Sequence, residues 1–173
     1  MSEQIQTLAD VKDDRVLIPA TSNVKMMVKK IDVRDTKKDG STADWRTLNI
    51  QLQVVDGIEI DEKIKYKNTI VFGSVCYYVN PESVSLNTGK KHSEQDYYKR
   101  RFSDLKGFVK AIGDDLSQVS VDEESISKYV LELSTAAVGK LVTANIIQKA
   151  GKGDYEDSNK VKYFKPVASE DLV

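Results

Sequence analysis

The chain has 173 residues, 40% of them hydrophobic and 31% charged, with a net charge of −1; this is the balance of one folded domain with some decoration. No apolar run approaches the roughly 18–20 residues that cross a bilayer, and the opening residues lack the basic and apolar blocks of a signal peptide, so the expectation is a cytoplasmic protein without membrane contact. The single cysteine, Cys76, excludes an internal disulfide framework, and a net charge near zero means that any nucleic-acid binding has to come from a local patch.

Residues 1–15 are polar and acidic without periodicity and read as a mobile arm, with the fold starting near Val16. In SNVKMMVKKIDVRD the apolar set runs Val24, Met26, Val28 and then shifts phase to Ile31 and Val33, which predicts a strand bent by a β-bulge. Its outer face carries Lys25, Met27, one or both of Lys29 and Lys30, and Arg34. A polar loop with Lys37 and Lys38 leads to WRTLNIQLQVVDG. Here Leu48, Ile50, Leu52 and Val54 occupy one face and Thr47, Asn49, Gln51 and Gln53 the other, with Trp45 on the polar side. Asp56-Gly57 turns the chain into IEIDEKIKYKNTIVF, read as a strand with Lys63, Lys65 and Lys67 sharing one side. Cys76 in VFGSVCYYV is expected to be a buried thiol.

SLNTGKKHSEQD is expected to be a mobile loop. In DYYKRRFSDLKGFVKAIGDD the spacing of Tyr98, Phe102, Leu105, Val109 and Ile112 predicts one helix, with Asp96 as cap and Gly113 as stop. A second helix is marked by Asp122 as N-cap, a Val121–Ile126 staple and the stripe Ile126, Val130, Leu133. GKLVTANIIQKA and NKVKYFKPV form a closing hairpin. Strands, then helices, then a hairpin predict a mainly β domain over residues 16–167: an OB-fold-like five-stranded antiparallel barrel with one or two inserted helices in 96–134. Residues 168–173 form a short acidic tail.

Several short elements also carry a family likeness. They are Leu17-Ile18-Pro19-Ala20 before the first strand, a Thr-Lys-Lys and Gly loop, Leu48-Asn49-Ile50-Gln51-Leu52 ending in Val55-Asp56-Gly57, and a helix with Phe108 to Gly113. Gly139-Lys140 then opens a strand, and Asn159-Lys160-Val161-Lys162-Tyr163 stands near the end. In these the chain resembles a family of small bacteriophage proteins, formerly a domain of unknown function and now described as phage single-stranded DNA-binding proteins with an OB fold. The resemblance implies a non-catalytic protein of the host-cell cytoplasm that coats single-stranded DNA during phage replication or recombination. It also implies possible homo-oligomers and phage replication or recombination proteins as partners, and no cofactor.

Such binding needs aromatic rings for base stacking and cations for phosphates. Trp45 is the first stacking candidate; Tyr66, Tyr77, Tyr78 and Tyr97 follow, although alternation can equally turn them inward. Lys25, Lys29, Lys63, Lys65 and Lys67 are phosphate candidates, with Lys90, Lys91, Arg100 and Arg101 as a second, mobile group. The bland alternatives are a Trp45 that caps the barrel and lysines that only solvate a face or protect a sheet edge. Catalysis is not expected: His92, the only histidine, lies in the predicted loop, and the acids around Asp56 and Asp61 are no better than chance for a metal site. The competing function is a protein-interaction or virion-associated module without nucleic-acid binding.

Overall fold

The computed structural model describes residues 17–153 and 156–168. Residues 1–15, with Val16, and most of the acidic tail therefore lie outside the described residues. Five strands close a barrel in the order β1 (Thr21–Thr36), β2 (Thr42–Val54), β5 (Ile70–Val79), β7 (Ser158–Lys165), β6 (Leu141–Lys149), and β6 pairs back onto β1. The protein is thus mainly β, with an OB-fold-like barrel and two inserted helices. One detail departs from expectation: the barrel is mixed, because β5 and β7 run parallel and meet at the single pair Gly73–Val161.

Alternation builds the core. On β2, Leu48, Ile50, Leu52 and Val54 are all fully buried, and Thr47, Asn49, Gln51 and Gln53 face out, as the period of two demands. Val24, Met26 and Val28 of β1 point in, and Ile31 resumes on the same side after a register shift between Val28 and Lys30. That is the bulge expected from the phase slip. Its effect is visible in the backbone: the Val28 N–H donates to the Lys140 carbonyl at 2.9 Å, and the Gly139 N–H donates to the Val28 carbonyl at 2.8 Å. The bend therefore ties β1 to the start of β6.

The segment after Asp56 corrects the expectation of one strand. It is a separate two-stranded hairpin, β3 (Ile58–Ile60) and β4 (Lys63–Lys65). Asp61 and Glu62 form its two-residue turn, both at positive φ (53° and 65°), the backbone of a type I′ turn. Gly57 makes room for it, since a Cβ there would sit 2.6 Å from Ile64 Cγ2 and 2.9 Å from the Lys65 carbonyl oxygen.

Between β5 and β6 the chain first forms a hydrogen-bonded loop rather than a loose one. Val84 pairs with Lys91, the Ser85 N–H donates to the Lys90 carbonyl, and the His92 N–H donates to the Ser83 carbonyl. The expected single helix from Asp96 is split: Asp96–Arg100 is a 3₁₀ turn, and the α-helix proper, α1, spans Ser103–Ala111. Asp96 therefore caps no α-helix, whereas Gly113 does end the segment at φ 81°. α1 buries Leu105, Phe108 and Val109 and sets Phe108 edge-on against Phe164 of β7, ring centroids 5.0 Å apart. α2 (Glu123–Ala136) starts as expected, with Asp122 accepting from the Ser125 N–H at 2.9 Å, and buries Ile126, Val130 and Leu133. Val121 stays largely exposed, so the expected staple onto Ile126 is weak. The closing hairpin β6–β7 forms in register from Ile146–Val161 to Lys149–Ser158.

Candidate nucleic-acid interface

The outer face of β1, β2 and β5 is ordered in rows by strand register. Lys30, Gln51 and Phe72 stand side by side, then Asp32, Asn49 and Ser74, then Arg34, Thr47 and Cys76. Each row spans three strands about 4.8 Å apart. Trp45 lies beyond the last row at the start of β2, 45% exposed, and Phe72 lies in the first row, 48% exposed. Six residue steps along β2 separate Trp45 from Gln51, the partner of Phe72, or roughly 20 Å. From Trp45 to Val54 and from Ile70 to Val79 there is no acidic residue. The one acid in these rows, Asp32 on β1, is engaged by Lys30 at 3.5 Å.

Trp45 is exposed on one side and held on the other. Its ring meets His92 edge-on at 5.5 Å and Tyr97 at 5.4 Å, and His92 Nδ1 and the Tyr97 hydroxyl are hydrogen-bonded. His92 is therefore buried in structure, not carried on a free loop. A pocket of about 400 Å³ opens beside the indole, lined by Asp44, Ser85, Leu86, His92 and Tyr97. Asp44 is kept ionised below the usual carboxylate range by the Ser83 hydroxyl, with the field of Lys37 adding to it against partial burial. Lys37 therefore lies near the Trp45 end, and Arg34 stands beside Thr47 in the row next to it.

The lysines expected beside the indole are elsewhere. Lys63, Lys65 and Lys67 are exposed on and after the β3–β4 hairpin, which follows the far end of β2. Lys25 sits at that same end, 3.6 Å from Asp56, and Lys29 is exposed at the bulge. Nine steps of β2 separate Trp45 from Val54, about 30 Å, so the Trp45-plus-lysine cluster is not formed. Three more candidates are corrected. Tyr77 is 1% exposed and points into the barrel, where burial pushes its phenol to about 12. Lys91 is engaged by Glu82 at 2.8 Å. Arg101 stacks on Tyr98 and Phe102 (3.7 and 4.4 Å to the ring centroids) and donates to the Tyr98 carbonyl, so its role is to hold the turn before α1. Arg100 is exposed.

No protein-family model matches the chain, and no curated protein matches it either.

Two residues escaped the sequence reading. Phe72 sits in a run that looks uniformly apolar, yet Val71, Gly73 and Val75 all face in, so the alternation that buries them turns Phe72 outward. Arg46 reads as a surface cation but is 7% exposed. Its Nη1 is 2.7 Å from Glu123 Oε1, its guanidinium lies 4.5 Å over the Tyr78 ring, and its Nε donates to the Ala43 carbonyl. It binds the Trp45 end of β2 to α2, which fixes the platform from behind.

Proposed function

We propose that the protein is a non-catalytic single-stranded DNA-binding protein whose bases lie on the outer face of β2 and β5. The observation that carries this is the pair of half-exposed rings, Trp45 and Phe72, on two adjacent strands with no acid along either from Trp45 to Val54 or Ile70 to Val79. A stacked base gains about 1–3 kcal/mol from an aromatic ring irrespective of its identity. Thr47, Asn49, Gln51 and Ser74 between the rings supply donors and acceptors without repelling phosphate. In OB-like barrels this face and the loops at its ends are where oligonucleotides bind. The sequence likeness to phage single-stranded DNA-binding proteins supports the same reading and extends it to phage replication or recombination in the host cytoplasm.

A second reading, a protein-interaction module, rests on the exposed Leu131 and Val138 of α2 and its C-terminal end and on Leu86 at the loop tip. Salt separates the two, because phosphate binding weakens steeply as salt rises and an apolar contact does not. The deciding experiment is titration of oligo-dT and of duplex DNA at several salt concentrations, read through the emission of Trp45, the only tryptophan of the chain. Salt-sensitive quenching by the single strand, with weak response to duplex, is expected. Absence of any response at low salt overturns the proposal.

A further inference from the structure

The barrel closes weakly on one side. β5 and β7 share the single pair Gly73–Val161 and diverge from it in both directions. A groove of about 530 Å³ opens on one side of that pair, lined by Ile70, Phe72, Asp157, Ser158 and Asn159, and another of about 470 Å³ opens on the other, lined by Ser74, Asp104 of α1, Lys160 and Lys162. Lys160 and Lys162 flank the inward Val161 and so both face outward. Lys149 of β6 is across the hairpin, where it pairs with Ser158. Among the described residues none of the three makes an ion pair. Burial and then the charges of Lys162 and Lys149 push the Lys160 ammonium below its usual range, opposed only by Asp104 of α1. The three cations outnumber the two acids of the groove walls, Asp104 and Asp157, and none of the three is ion-paired among the described residues, which leaves net positive charge for an anion.

We infer that the β5–β7 seam, with Lys149, Lys160 and Lys162, is the track for the phosphates of the single strand whose bases stack at Phe72. This rests on the proposed function. Its geometry is specific: Phe72 faces out of β5 at the mouth of the first groove, and the two β7 lysines stand on the neighbouring strand, so one nucleotide can place its base on the ring and its phosphate on the seam. The hairpin lysines Lys63 and Lys65 line neither groove and are left out of the track.

The test compares Lys160→Gln/Lys162→Gln with Lys63→Gln/Lys65→Gln, using oligo-dT anisotropy across a salt series. Each lost phosphate contact lowers the slope of log K against log salt by about 0.7 for single strands. The seam double variant is expected to lower it by about 1.4 and the hairpin variant to leave it unchanged. Equal falls in both variants would reduce the effect to net charge and overturn the seam. An unchanged slope in the seam variant, with wild-type binding intact, overturns the seam alone. Failure of the wild type to bind overturns the seam together with the proposed function. Lys149→Gln, at an exposed position, gives the same reading with an expected fall of about 0.7 if the double variant is unstable.

Discussion

Truncating the two rings should weaken single-strand binding without changing its salt dependence. Trp45 and Phe72 are 45% and 48% exposed, so each offers about half its ring to a base. Loss of one stacked base corresponds to about 1–3 kcal/mol, or roughly 5- to 140-fold in Kd. The rings stand roughly 20 Å apart along the sheet, so the two losses should add, to about 2–6 kcal/mol in the double variant. Stability must be weighed first. The covered half of an aromatic ring is on the order of 100 Å², which at about 25 cal/mol/Å² makes each alanine cost roughly 2.5 kcal/mol of folding free energy. A domain stable by as little as about 5 kcal/mol therefore remains folded in either single variant at 25 °C. Because stacking releases no phosphate counterions, the log–log salt slope should stay at the wild-type value while the intercept falls. Anisotropy of labelled oligo-dT measures both quantities, with Phe72→Tyr as the control that keeps a ring. Binding within twofold of wild type in both alanine variants, or a fall in Phe72→Tyr as large as in Phe72→Ala, would refute stacking on this face.

Three further outcomes follow from the packing. Arg46→Met removes the 2.7 Å pair with Glu123, the stacking on Tyr78 and the bond to Ala43, and should cost about 2–4 kcal/mol, read as a lower thermal midpoint; a loss under about 1 kcal/mol would show that α2 holds without it. Gly73→Ala puts a Cβ 3.1 Å from the Val161 carbonyl oxygen and 3.2 Å from Phe164 Cζ at the one pair joining β5 to β7, and should destabilise by about 1–3 kcal/mol in denaturant melts, whereas unchanged stability would mean the seam yields freely. Asp122 is held below its ordinary 3.8 by hydrogen bonds from Ser125; its stabilisation is therefore present above that value and lost as pH falls through the lower folded value. Asp122→Asn keeps a cap without the charge and should flatten acid unfolding in that range, and an unchanged acid limb would contradict the assignment.

The fold was legible wherever a periodicity of two or 3.6 ran unbroken or slipped by a single residue. β2, the β1 bulge and the α2 stripe follow from apolar spacing alone, because each buries one face against a common core. The β3–β4 hairpin was not legible. Its turn uses Asp61 and Glu62 at positive φ, and Glu62 stands where a type I′ turn usually shows Gly, so the alternation of Ile58, Ile60 and Ile64 ran through the turn as if one strand continued. The split before α1 was hidden for a related reason. Tyr98, Phe102 and Leu105 keep a helical spacing across a 3₁₀ turn, and nothing in the sequence shows that Arg101 folds back over Tyr98 and Phe102. Parallel closure at Gly73 left only a glycine as its mark.

The site was legible by direction more than by location. Sequence spacing tells which way a side chain leaves its strand, and once the strands are placed that rule turns Trp45, Phe72, Lys160 and Lys162 outward and Tyr77, a stacking candidate by sequence, inward. What it does not tell is which strand lies beside which. Lys63 and Lys65 are 18 and 20 positions from Trp45 by their numbers, yet the hairpin carries them to the opposite end of β2, while Lys160 comes next to β5 only because the barrel closes there in parallel. The sequence therefore supplied Trp45, and the topology of the barrel added Phe72 and the β7 lysines. The proposed binding face, spread over β1, β2, β5 and β7, draws on segments more than 120 residues apart, so the grouping of its members follows only from the closure of the barrel.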